Sequence, residues 1–263
     1  MLGSMAWSPL GTQFCLELAF GVLLAMAFVP RAPVGALFYR IMGTCALAPV
    51  LVALLVPVTV AQRAWSDPVS LATALVVLAY PVYSGPVRGR RWAAGLAVGL
   101  AGCAAGLVLT LVDQGVAGAA LSLASLSALA TGAVAGSVGL AMVLGHWYLT
   151  VPNLAVRHLR RLNRVTVVSM IASIVLIAVT CVALGERLDA ADRPLLSPFG
   201  AFHLGTRALV GLVLPLLFAW MAASSLRYGN TRSATGILYA STVLVLIGTA
   251  VSISLQDAYG FPL

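Results

Sequence analysis

Long apolar runs alternate with short polar connections along the whole chain, and the runs have spanning length without the strict alternation of a half-buried strand. Backbone surrounded by lipid must satisfy its own hydrogen bonds, and a barrel would need short alternating segments, so each run is read as a helix. The pattern predicts an all-α fold. It is that of a polytopic integral membrane protein, a bundle of about eight transmembrane helices forming a single domain over residues 1–263. The predicted spans are about 11–29, 34–61, 69–86, 92–112, 119–149, 165–184, 201–226 and 234–256.

Several residues punctuate these runs. Pro30 ends the first, Pro49 and Pro57 are expected to kink the second, and Pro81 and Pro215 lie inside the third and seventh. Gly95, Gly99, Gly102 and Gly106 in the fourth, and Gly132 and Gly136 in the fifth, have the small-residue spacing that lets helices approach closely. The fifth run exceeds the roughly 20 residues a span needs, so it must tilt or protrude. The first lacks a basic segment before it and is expected to be a retained helix, not a signal peptide.

Composition agrees with this pattern: 61% of residues are hydrophobic and 8% are charged, where a soluble domain has about a quarter charged. No separate soluble domain fits beside the spans. A formal charge of +8 would suggest nucleic acid in a soluble protein; here the arginines sit in short connections, where they set topology, and no nucleic-acid partner is expected. Alternate connections carry Arg31 and Arg40, then Arg88, Arg90 and Arg91, then Arg157, Arg160, Arg161 and Arg164, then Arg227 and Arg232. The remaining connections and the termini carry Asp67, Asp113, Glu186, Asp189, Asp192 and Asp257 against Arg63, Arg187 and Arg193. The positive-inside rule then places both termini outside the cytoplasm, with a bacterial-type inner membrane as the expected location. Trp7, Trp65 and Tyr259 are expected at the outer face, and Trp92, Trp147, Tyr148, Trp220 and Tyr228 at the inner one.

The densest basic stretch is GHWYLTVPNLAVRHLRRLNR, residues 145–164. Its arginines at 157, 160, 161 and 164 follow the i, i+3, i+4, i+7 pattern, so a helix after Pro152 would present them on one face, suited to anionic phospholipids or an acidic partner. His146, Trp147 and Tyr148 are expected to be interfacial.

Chemistry inside the membrane points elsewhere. Glu17 in the first span, and His203 and Arg207 four residues apart in the seventh, are ionisable groups that need partners or water at that depth. Their positions predict convergence beneath the outer surface, with Glu17 and Arg207 paired. A structural ion pair, or snorkelling to the headgroups, is the first reading; the functional one is a quinone-head or proton-handling pocket, His203 hydrogen-bonding the head and Glu17 exchanging a proton. Thr235, Thr242, Thr249 and Gln256 recur every seven residues, with Tyr239 alongside, and Thr166, Ser169, Ser173 and Thr180 align in the sixth span, as packing stripes or the lining of a transport path.

His146 and His203 fall at opposite ends of their spans and cannot clamp one haem, so haem is not expected within this chain alone. The four cysteines form no CxxC pattern and are read as packing residues. Walker, HExxH, GxSxG and dinucleotide motifs are absent, so no catalytic or metal-ligating set is assigned and a self-contained enzyme is not expected. The architecture is similar to that of membrane subunits passing electrons between quinone and an extracytoplasmic partner, without a shared motif. The expected function is a membrane subunit of a multi-subunit electron-transfer complex that anchors other membrane or membrane-associated subunits. A small-solute transporter and a structural or lipid-binding scaffold are the alternatives.

Overall fold

A computed structural model describes residues 7–29, 34–55, 68–151, 154–189 and 194–263, and every regular element among them is a helix. They are α1 (Trp7–Met26), α2 (Ala36–Leu55), α3 (Pro68–Ser84), α4 (Gly89–Asp113), α5 (Ala119–Thr150), α6 (Arg157–Ala183), α7 (Pro198–Arg227) and α8 (Thr231–Tyr259), with a short helix at Gly185–Asp189. Six of these, α2 and α4 to α8, are long and apolar enough to cross a membrane, while Leu10–Met26 and Ser70–Ser84 are shorter apolar stretches. The chain is a multi-pass membrane protein. Expectations resting on Pro30, Arg31, Pro57, Arg63, Trp65, Asp67, Pro152, Asp192 and Arg193 lie outside the described residues.

The helix cores fall where hydropathy places them, but several N-terminal boundaries move, that of the sixth most of all. The sixth begins at Arg157, not near residue 165, so the arginine-rich stretch is the first two turns of α6 itself. Hydropathy marks the part of a helix suited to hydrocarbon; arginines on good helix-forming backbone simply extend it toward water. His158, Leu159 and Leu162 turn inward there and are buried. Likewise α4 starts at Gly89 and takes in Arg90 and Arg91. Ser197 caps α7, its hydroxyl accepting from the Gly200 amide with Pro198 at the first helical position, and Asn230 caps α8 by accepting from the Ser233 amide.

Within α7 the backbone is α-helical to Gly205, π-helical over Thr206–Val213, then α-helical again from Leu214. Pro215 offers no amide donor and crowds the carbonyl four residues earlier, at Gly211, which lies inside the π-helical stretch.

Helices α1 and α5 form the centre: α1 packs on α5, α2 and α4, while α5 also packs on α6 and α8. Glycine makes this possible. A methyl group at Gly21 would overlap the Gly132 carbonyl, and one at Gly136 would overlap the backbone of Gly21, so the two helices touch main chain to main chain. The glycine-rich face of α4 serves similarly, Gly95 against Val82, Gly102 and Gly106 against Leu75 and Ala72, and Gly99 facing Leu23 of α1.

Contacts at the helix ends define two poles. At the basic pole the Trp147 indole donates to the Val34 carbonyl, Trp92 to Tyr83, and Arg160 to Leu226. At the other pole Leu188, Leu195, Leu255, Tyr259 and Leu263 form an apolar cap.

Candidate functional site

The Gly21–Gly132–Gly136 contact brings the backbone of Glu17 onto Gly132, which carries the carboxylate into the bundle, where Glu17 is 2% exposed. Gln13, one turn earlier on the same face, donates from Nε2 to Glu17 Oε1 at 2.9 Å and to Gln256 Oε1 of α8 at 2.6 Å. Gln256 returns the bond to Gln13 Oε1 and also donates to Gln114 Oε1 at 2.9 Å. Gln114 is the half-buried C-cap of α4. Three amides therefore lead from that end of the bundle to Glu17.

Arg207 approaches the same region from α7 and is wholly enclosed, at 0% exposure. Its Nη2 donates to Thr131 Oγ1 of α5 at 2.9 Å and to Ser173 Oγ of α6 at 3.3 Å, and its Nε to the main-chain oxygen of Leu263 at 3.3 Å. That oxygen is delivered by a turn: Gly260, at φ 74°, takes the left-handed conformation that ends α8, and Leu263 is buried beneath it. Ser252 also donates to the Leu263 oxygen. Close packing of Gly211 on Gly248 keeps α7 near α8 beside the guanidinium.

Glu17 and Arg207 are thus brought together inside the protein, close enough to interact electrostatically, but no direct ion pair joins them. Each is held by neutral neighbours instead. Glu17 Oε2, Arg207 Nη1 and Gln114 Nε2 are buried and have no hydrogen-bond partner. One unused acceptor and two unused donors, divided between the amide network of Glu17 and the separate network of Arg207, invite water or a ligand, since buried polar atoms are nearly always satisfied.

His203 does not join the cluster by any hydrogen bond. Its Nδ1 lies 2.8 Å from the Phe199 carbonyl one turn earlier, and its ring stacks 4.0 Å from that of Phe199 with Phe202 edge-on. The four-residue spacing that would align His203 with Arg207 in an α-helix runs into the π-helical turn beginning at Thr206, where the angular step per residue changes. Arg207 turns fully inward while His203 stays half-buried.

At the basic pole the four arginines of α6 divide. Arg160 Nη2 donates to the Leu226 carbonyl at 2.6 Å and, with buried Asn163 donating to Ala219 at 2.8 Å, ties α6 to α7. Arg161 lies over the Phe28 ring, 5.7 Å from its centroid. Arg157 and Arg164 are exposed. His146 shares a 3.3 Å hydrogen bond with the Tyr239 hydroxyl, and Tyr148 donates to the Ala155 carbonyl.

The threonines of the α8 stripe bond back to their own helix, Thr235 to Thr231, Thr242 to Leu238 and Thr249 to Val245, and only Gln256 reaches another element. On α6, Ser173 is drawn to Arg207, while the Thr166 and Thr180 hydroxyls are buried without partners. The sequence-level search missed Gln13, Gln114 and Thr131. Gln13 had a usable signal, standing four residues before the single carboxylate of its helix.

Compared with known proteins, the chain matches no family model, no curated relative and no solved structure. Function must therefore be argued from its own residues.

Proposed function

We propose that this chain crosses a bacterial-type inner membrane eight times, with both termini outside the cytoplasm, and serves as the quinone-interacting membrane subunit of an electron-transfer complex. The observation that carries the proposal is the set of unpartnered atoms on the buried cluster: Arg207 Nη1 and Gln114 Nε2 as donors, Glu17 Oε2 as acceptor. A quinone head accepts hydrogen bonds at its carbonyl oxygens, and its reduced form donates through hydroxyls, so one head uses both kinds of group. Arg207 and Gln114 orient the oxygens, Glu17 takes one of the two protons released as the quinol gives up two electrons, and the other proton leaves to water. The electrons pass to a redox group of a partner subunit.

The test is binding of short-tail ubiquinone and menaquinone analogues to the protein purified in nanodiscs. E17Q keeps a hydrogen-bonding side chain of similar volume and is expected to weaken reduced-quinone binding by at least about ten-fold, the loss of one charge-assisted hydrogen bond. If neither analogue binds, or if E17Q binds both as the wild type does, the proposal fails.

A second reading, small-solute transport, is favoured by the π-helical stretch inside α7 at Arg207. It predicts uptake of a small anion into proteoliposomes, abolished by substitution of Arg207 and indifferent to quinone.

A further inference from the structure

A groove of about 380 Å³ runs between the end of α1 and the first turns of α6, lined by Leu24 and Phe28 on one side and by Arg161, Arg164, Val165, Val168 and Ser169 on the other. Its composition is graded along the helix axes. Phe28 and Arg161 meet at the basic pole; Arg164 follows one turn deeper, about 4.5 Å at 1.5 Å per residue; Leu24, Val165 and Val168 make the apolar floor toward mid-span.

Both arginines are exposed and have no ion-pair partner among the described residues. The carboxylates described lie elsewhere: Glu17 in the buried cluster, Asp113 at the end of α4, Glu186 after α6, and Asp257 at the end of α8. The neighbouring Arg160 is already spent on the Leu226 carbonyl. The cation–π contact with Phe28 holds Arg161 over the groove instead of leaving it free in water.

We propose that this groove is a binding site for one anionic glycerophospholipid, its phosphate held by Arg161 and Arg164 and an acyl chain laid along Leu24, Val165 and Val168. Guanidinium groups recognise phosphate by paired hydrogen bonds, and the two here are stacked at headgroup depth above an apolar channel. A soluble phosphate would use the charges but not the channel. A neutral lipid would use the channel but not the charges.

The experiment is native mass spectrometry of the full chain released from nanodiscs of equimolar phosphatidylglycerol and phosphatidylcholine. The wild type is expected to retain phosphatidylglycerol preferentially, at one molecule per chain. R161Q/R164Q removes both cations and is expected to lower that preference by about five-fold for each arginine. R88Q/R90Q makes the same charge change at the same pole outside the groove and is expected to retain the wild-type preference. V168W fills the floor with the charges intact and is expected to lose the bound lipid as well. Melting temperatures of all variants check that they remain folded. The proposal is overturned if R88Q/R90Q loses as much as R161Q/R164Q, if V168W retains lipid fully, or if excess inorganic phosphate releases the lipid.

Discussion

The two poles of the bundle use the same residue type in opposite ways. Arg207 is enclosed completely and spends its donors on Thr131, Ser173 and the Leu263 main-chain oxygen. Arg161 and Arg164 stand exposed at the other pole, with an aromatic ring and a largely apolar groove beside them. Net charge does not separate these roles; the surroundings do. In the interior every donor must be met by the protein or by something it binds, so an arginine there organises four helices at once. At the surface the membrane can supply the acceptor, and the same side chain is nearly free of structural duty.

Substitutions break or sharpen this contrast. The largest expected effect is R207L, which leaves Glu17 buried without a compensating charge, removes the donor to Thr131 and Ser173, and leaves the Leu263 oxygen to Ser252 alone. It should cost about 3–5 kcal/mol, read as a steep fall in melting temperature in detergent, whereas R164L should stay within about 0.5 kcal/mol. Equal losses would erase the distinction between the poles.

Gly136→Val comes next. The added side chain must push α1 off α5, at a cost of about 1–3 kcal/mol, and with it the seat of Glu17. Gly139→Val, on the same helix but with open space around its Cβ position, is the matched control and should be close to neutral. Ser173→Ala removes one acceptor from the guanidinium and should cost about 1.5 kcal/mol; Thr242→Ala, whose hydroxyl bonds only its own helix, should hardly register. The smallest difference lies within the basic face itself. Arg160→Ala should lose about 1 kcal/mol through the Leu226 bond, and Arg161→Ala less than about 0.5 kcal/mol, measured side by side in chemical unfolding.

Much of the architecture was legible because the bilayer restricts what an apolar run can be. Spacing alone also identified the packing faces of α4 and α5, since glycine pairs at i and i+4 leave a face on which another helix can approach closely. Gly21, the partner of Gly132 and Gly136, was not legible: a single glycine in an apolar run carries no period. The site was half legible. Glu17 and Arg207 are conspicuous as charges in spans, and both turn inward together. Gln13 and Gln114 sit near helix ends, where amides are commonplace, and nothing local signals that the ends of α1, α4 and α8 bring them to Gln256. The Leu263 oxygen has no side-chain identity to read. His203 was drawn into the site by α-helical spacing that the π-helical turn does not keep.

The parts that enclose Glu17 arrive at very different times. About 190 residues separate it from Arg207, roughly 10–40 s of synthesis, and Ser252, Gln256 and Leu263 are made later still. Through that interval α1 carries a carboxyl group with Gln13 as its hydrogen-bond companion and without the arginine that faces it in the finished fold. A chain stalled before α7 would therefore hold Glu17 with Gln13 alone, and the cluster closes only once α7 and α8 have been made.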